Sequence, residues 1–380
     1  MNALFVSSDQ KILDETSSVH ARMQEYAKEI GILHIVLRGK KKEVVSSGAL
    51  TVHSFPLGKI GALLFLPKEV RKLIKDHSIE VVSAQDPFEH GWIALKAVQG
   101  TNAALHLQVH TDFLSPWFTK SHSLRSETVR MPLLNKVRRH IADRVIPKAQ
   151  GIRVVSERIG DSLREKYGAG IPDPVVIPIE VPKEMPAPIE LTPHNFTFAL
   201  MAASRLEPEK RIEDILTAIA QINARYPSVG LVLVGGGSER KKLEAHARRL
   251  KIENKVVFLG EKSPEETRGL MQSAHAFIQA SAYEGYGRSL VEAALAGIPI
   301  ITTDVGIVGE VFEGYTEVLS APVADPAALA VHIVGLVEDQ QARKMLAIGA
   351  KTVALRHLEA SEGVPARIAQ NLAEATKTRY

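Results

Sequence analysis

Cysteine is absent from all 380 residues. That excludes disulfides, thiolate metal sites and cysteine nucleophiles together, and it suits a reducing compartment. Long apolar runs are missing as well, since no stretch approaches the roughly 18 residues that a membrane-spanning helix needs. A secretory signal is not expected either, because Met1 to Ser7 reads as a short strand running straight into polar residues. With no nucleic-acid-binding motif and no aromatic stacking platform, nucleic acid is not an expected partner. These absences leave a cytoplasmic chain that is soluble or lies on the cytoplasmic face of a membrane.

What is present is ordinary for a globular protein: 45% apolar and 24% charged residues. A length of 380 residues exceeds the size at which one hydrophobic core stops growing, so two domains are expected. Charge divides unevenly. Residues 1–185 carry 26 Lys and Arg against 20 Asp and Glu, whereas residues 186–380 carry 21 against 23. The basic first half suits either an anionic partner or a solvated face.

Short β-branched runs alternate with amphipathic segments throughout, the pattern of parallel strands joined by helical crossovers. Strands are predicted near Ala3–Ser7, Leu33–Leu37, Thr51–Phe55, Glu80–Ala84, Ala104–Val109 and Ile152–Ser156. The pattern then restarts near Phe196–Met201, Leu231–Val234, Lys255–Leu259, Ala276–Gln279 and Pro299–Thr302. Between the two series stand Pro172, Pro174, Pro178, Pro182, Pro186, Pro188 and Pro193, too dense for a helix interior or a central strand. The expected fold class is therefore α/β, with two Rossmann-like, doubly wound parallel sheets. Residues 1–175 form the first domain, 176–193 a stiff linker and 194–362 the second domain. A last helix, 363–380, is expected to cross back to the first domain.

The densest chemical signal follows the predicted strand at Ala276–Gln279. It reads Ser281-Ala-Tyr-Glu-Gly-Tyr-Gly-Arg-Ser-Leu-Val-Glu292. Gly285 and Gly287 allow a sharp turn and a close ligand approach, and the helix that opens there presents free amides to an anion. Glu284 and Glu292 stand eight positions apart with that amide cluster between them. Singly, each is a solvated charge. Together they suit a molecule with hydroxyls on both sides of a phosphate group, as a nucleotide sugar has. Arg205 and Lys210 follow the strand that opens the second domain, where ligands of doubly wound sheets bind. A guanidinium and an ammonium there suit a diphosphate.

These motifs resemble the retaining glycosyltransferases of family four. The stretch from Glu284 to Glu292 is similar to that family's Glu-x7-Glu signature, and Ser204-Arg-Leu-Glu-Pro-Glu-Lys210 to its Arg-Leu…Lys stretch. Leu231-Val-Leu-Val-Gly-Gly-Gly, Val257-Phe-Leu-Gly and Pro299-Ile-Ile-Thr-Thr-Asp-Val-Gly follow in the family's order. The likeness spans roughly residues 195–320. It implies the GT-B architecture, two Rossmann-like domains facing a central cleft, and transfer of a sugar from a UDP- or GDP-sugar with retention. By the same resemblance, Arg205 and Lys210 bind the donor diphosphate, Glu292 the ribose hydroxyls and Glu284 the donor sugar. The backbone at Gly260 and Glu261 holds the nucleobase, and the amides of Tyr286, Gly287, Arg288 and Ser289 face the phosphates and sugar. His110, ending a strand of the first domain, falls where related enzymes place a histidine beside the donor sugar.

Two departures stand out, of which one is the linker, Pro178-Ile-Glu-Val-Pro182 where family members often read Pro-Asn-Gly-Val-Asp. Family members commonly carry a Gly-Gly pair after the first strand, yet Asp9 to His20 holds no glycine, and Ser17 and Ser18 stand in its place as acceptor contacts. Asp112 either orients His110 or meets the acceptor. No Asp-x-Asp occurs, so no metal or other cofactor is expected, and Arg205, Lys210 and the helix terminus must steady the leaving group. Apolar and basic residues interleave from Phe55 to Lys75 and cations gather from Lys120 to Arg144, which suits a glycan or lipid-linked acceptor at an anionic membrane surface, or simply two surface helices. An epimerase of the same architecture and a non-catalytic nucleotide-sugar binder are the alternatives.

Overall fold

The computed structural model describes residues 1–120, 130–191 and 195–378. Its first sheet contains β1 (Asn2–Ser7), β2 (Ile32–Arg38), β3 (Glu43–Ser47), β4 (Leu50–Phe55), β5 (Val81–Ala84), β6 (Ala104–Val109), β7 (Gly151–Val154) and β8 (Val175–Val176). They lie in the order β3-β4-β2-β1-β5-β6-β7-β8. Every neighbouring pair is parallel except β3 and β4, a hairpin whose two-residue turn uses Gly48 at φ 61°. Strands buried on both faces need continuous apolar runs, which is why Ala3 to Val6 and Leu33 to Leu37 read as they do.

The second sheet contains β9 (Phe198–Ala203), β10 (Val229–Val234), β11 (Val256–Gly260), β12 (Ala276–Ile278), β13 (Ile300–Thr303) and β14 (Leu319–Ala321). All pairs are parallel, in the order β11-β10-β9-β12-β13-β14. The chain winds outward from β9 to β11, then returns to the other side of β9 and winds outward again. Helix Ile212–Ile222 buries Ile212, Ile215, Leu216, Ile219 and Ile222 against Leu200, Leu231 and Leu233 of this sheet. The apolar stripe read from the sequence is therefore the core face.

Two compact units result. One contains Met1–Leu114, Arg130–Pro178 and residues 363–378; the other contains Ile179–Glu362 together with residues 115–120. Helix Val364–Lys377 packs Val364, Ile368 and Leu372 into the first unit's core beside Ala3, Phe5 and Leu33. A directional chain of buried hydrogen bonds accompanies it. Arg153 donates to Gln108 (2.8 Å), Gln108 to Ser83 (3.1 Å), Ser83 bonds His106 Nδ1 (2.9 Å) and His106 Nε2 bonds Asn371 of that helix (2.7 Å).

Two stretches group differently from the sequence expectation. Residues 115–120 sit in the second unit, where Phe118 meets Tyr283 edge-on at 5.5 Å and Trp117 lies 5.7 Å from the Arg211 guanidinium. Residues 179–191, expected as part of a linker, belong to the second unit. Prolines lack an amide donor but keep their carbonyls, and Gln272 donates to Pro186 at 2.7 Å while the Ile189 amide donates to Gly269 at 3.0 Å.

Candidate functional site

The second sheet reverses its winding between β9 and β12, and ligands of such sheets bind outside the strand ends at that reversal. The loops after β9 and β12 carry the residues singled out above. Lys210 closes a short 3-10 turn, Pro208–Lys210, and Arg211 follows in the left-handed region at φ 47°. The Lys210 ammonium reaches Glu284 Oε1 at 2.5 Å, and both side chains are only 15% exposed. Ser281 donates to the same carboxylate oxygen at 2.7 Å. The Ala282 amide donates to the Glu209 carbonyl at 2.8 Å, so the two loops are joined through backbone as well.

Close backbone packing keeps this rim in place. Gly235 has φ 132°, and a Cβ there would lie 1.9 Å from the Ser204 carbonyl oxygen. Gly306 has φ 61°, and a Cβ would lie 2.5 Å from the Tyr286 carbonyl oxygen and 3.2 Å from Glu284 Cβ. Gly306→Ala is expected to destabilise the protein by about 1–3 kcal/mol, through backbone strain and displacement of the Glu284 loop. Urea unfolding checks this; a midpoint equal to that of the unsubstituted chain refutes it.

Helix Arg288–Ala296 opens from Gly287, which adopts φ 92°. One turn in, Arg288 bonds Glu292 at 3.0 Å, and the Glu292 side chain is 11% exposed. Burial raises the Glu292 carboxyl above its ordinary value, with Arg288 and then Arg268 opposing the rise. Arg205 is exposed but held by Glu209 at 2.8 Å. The Tyr286 ring is buried, its hydroxyl meets His357 Nε2 at 2.8 Å and its carbonyl accepts from the Ile307 amide at 3.1 Å, so this residue anchors the loop. Burial raises the Tyr286 phenol and lowers the His357 imidazole. Ser289 donates to Gln279 Oε1 at 2.9 Å. Gln279 had no assigned role in the sequence, yet its buried Nε2 has no hydrogen-bond partner among the described residues. Gly260 ends β11, two strands from β9, Glu261 follows it, and the Gly260 carbonyl accepts from the Gly235 amide at 2.8 Å.

The first unit carries the remaining candidates. His110 follows β6, and burial foremost, then Arg153, push its imidazole down to about 3, so the ring is neutral. Its Nε2 is enclosed and makes no hydrogen bond among the described residues. Asp112 lies in the loop two positions on. Ser17 is occupied as the cap of helix Ser18–Ile30: its hydroxyl accepts from the His20 amide at 3.0 Å and donates to the Lys11 carbonyl at 2.6 Å. Ser18 begins the helix and is exposed. The first sheet reverses its winding between β1 and β5, and a cavity of about 70 Å³ lies there, lined by Ser7, Asp9, Arg22 and Gln85 over an apolar floor. None of Asp9, Arg22 or Gln85 belongs to a motif, and only the strand order brings them together.

Residues 33–179 match the family described as Glycosyltransferase Family 4, and residues 190–353 match Glycosyl transferases group 1. The chain belongs to the family-four type of glycosyltransferase. Among solved structures, the GT-B fold of this glycosyltransferase is shared with sucrose-phosphate synthase from Thermosynechococcus elongatus at TM-score 0.81 and 17% identity, over 100% of both chains. HepE from Anabaena, solved with UDP, matches at TM-score 0.67 and 21% identity, over 98% of this chain and 100% of that one. Glycogen synthase from Mycobacterium tuberculosis is 27% identical over 208 residues, which is 54% of this chain and 50% of the relative. The glycosyltransferase thus spans about half the length of that relative.

Proposed function

We propose that this glycosyltransferase is a retaining, metal-independent hexosyltransferase that moves a sugar from a UDP- or GDP-sugar to a hydroxyl of a glycan or lipid-linked glycan. The observation that carries the proposal is the Lys210–Glu284 pair at the winding reversal of the second sheet. A donor diphosphate competes with Glu284 for Lys210. Its arrival frees a carboxylate oxygen to accept a sugar hydroxyl, while the amides opening helix Arg288–Ala296 meet the phosphates. Glu292 then holds the ribose hydroxyls. The bond from the anomeric carbon to the diphosphate breaks, and the acceptor oxygen bonds to that carbon from the same face. The acceptor proton passes to the departing phosphate oxygen. Lys210, Arg205 and the helix terminus stabilise the charge that forms there.

Thermal unfolding with and without UDP and GDP tests the donor site. A nucleotide held at 100 times its Kd adds about 2.7 kcal/mol, a rise of several degrees in Tm. No shift with either nucleotide at millimolar concentration overturns the proposal. Glu292→Ala is expected to weaken the stabilising nucleotide by roughly 10- to 100-fold, the scale of a lost charge-assisted hydrogen bond. Calorimetry reads this directly, and equal affinities exclude Glu292 from ribose binding. Donor turnover unaffected by EDTA is the outcome expected of a metal-independent site.

The first unit's surface supports a lipid-linked acceptor. On helix Lys59–Asp76 one exposed stripe runs Ile60, Leu64, Lys68, Lys72 and Lys75, with Phe65 alongside. Ile60, Leu64 and Phe65 are 76%, 67% and 59% exposed. Two apolar turns followed by two cationic ones match the acyl boundary and phosphate layer of an anionic bilayer. Sedimentation with vesicles containing phosphatidylglycerol is expected to carry down the protein, and a Leu64→Glu/Phe65→Glu variant is expected to stay in solution. Equal sedimentation of both proteins refutes this surface.

A further inference from the structure

The donor reading leaves the first unit's own winding reversal without a ligand. Its cavity, about 70 Å³, lies beside β1 and is lined by Arg22, Ser7, Asp9 and Gln85. Arg22 is partly buried and makes no hydrogen bond or ion pair among the described residues. A guanidinium that lines a cavity with its donors uncommitted can meet an oxyanion there in bidentate fashion. A second guanidinium reinforces the field. Arg153 is buried and close enough to Arg22 for the two charges to repel, yet it donates to the carbonyls of Ile177 and Pro178 (3.0 Å each) and to Gln108, and to no carboxylate. Asp86 bonds His90 and the amides of Phe88 and His90, while Asp9, whose carboxylate also lines the cavity, accepts from the Lys11 amide at 3.0 Å and is not ion-paired with Arg22. The apolar remainder, Phe5, Ile12 and Met23 among it, suits the carbon face of a sugar or polyol ring.

We infer that this cavity binds an oxyanion, a phosphate or carboxylate carried by the acceptor, with Arg22 as its cation. The inference rests on the transferase reading only in assigning the anion to an acceptor; the anion site stands on the cavity and Arg22. It narrows the acceptor class to a polyhydroxylated molecule bearing negative charge. The gain is steering and orientation: a guanidinium fixes an oxyanion in two directions, which places the reacting hydroxyl in a defined pose.

The test is calorimetry on the full chain with inorganic phosphate, a hexose phosphate and UDP, comparing the unsubstituted protein with Arg22→Gln and Arg22→Lys. Arg22→Gln is expected to weaken phosphate and hexose phosphate by at least 10-fold, Arg22→Lys by less, and UDP by under 2-fold. Unchanged phosphate binding in Arg22→Gln overturns the inference. A parallel loss for UDP also overturns it, because the anion then belongs to the donor diphosphate. A chain that binds phosphate through Arg22 but binds neither UDP nor GDP sinks the donor reading while leaving the anion site standing. Far-UV circular dichroism and urea midpoints for both variants establish that a lost heat signal is not lost fold.

Discussion

Replacing Lys210 with alanine is expected to lower the single-turnover rate by on the order of 10²–10³-fold, the scale of removing one preorganised donor from developing negative charge. Lys210 is only 15% exposed and its ammonium sits 2.5 Å from Glu284, so the pair holds it at the sheet's rim until a diphosphate takes the place of the carboxylate. The substitution also strands a carboxylate that is 15% exposed, and stability should fall with the rate. A second variant separates the two effects. Lys210→Met with Glu284→Gln removes both charges and is expected to recover most of the stability, because no ion is left unpaired. It is not expected to recover the rate, since the partner that matters in the transition state is the leaving diphosphate. Rapid-quench measurement of one turnover, with urea unfolding on the same samples, gives both numbers. A Lys210→Ala enzyme with an unchanged single-turnover rate ends this role for the lysine. Arg205, which is 71% exposed, is expected to contribute on the order of 10²-fold by the same measurement.

The pairing behind that prediction was not legible in the chain. Glu284 and Glu292 announced themselves because glycines at 285 and 287 make sense only in a turn that something approaches. That Glu284 meets Lys210 depends on β9 and β12 being neighbours, and strand order is a tertiary fact that periodicity does not encode. The same holds for Arg22, an arginine on an amphipathic helix until the order of β1 and β5 places it over a cavity. The central strands were legible because burial on both faces forces unbroken apolar runs. The edges were not. β3 carries Glu43, Ser46 and Ser47, β8 is two residues among prolines, and β14 is three residues long, so each has too little one-sided burial to leave a pattern. The alternation of strand and helix along the chain nevertheless identified two doubly wound sheets, because parallel strands have few other ways to connect.

Acidification is expected to unfold the first unit before it exposes any carboxylate effect in the second. Burial, then His77 and His53, depress the His34 imidazole from 6.5 to about 4, and burial above all depresses His106 to about 4. His34 bonds His53 at 3.0 Å and its ring centroid lies 4.3 Å from that of the tilted His77 ring, so a proton on one is repelled by its neighbours. For His106 the hydrogen-bond chain adds a geometric reason. Gln108 donates to Ser83, which leaves the Ser83 hydroxyl proton for His106 Nδ1, and Nε2–H donates to Asn371. Protonating Nδ1 turns the acceptor of the Ser83 hydroxyl proton into a second donor and breaks the chain between Ser83 and His106, while Nε2–H keeps its bond to Asn371 of helix Val364–Lys377. Both histidines bind protons more readily unfolded than folded. Their stabilisation is complete above pH 6.5 and drains away as pH falls toward 4, amounting to about 2 kcal/mol each by pH 5. Urea midpoints at pH 7.5, 6 and 5 should therefore drop steeply, whereas a flat series refutes the assignment. His106→Gln should start lower at pH 7.5 and fall less, because glutamine keeps a donor for Asn371 but has no proton to gain.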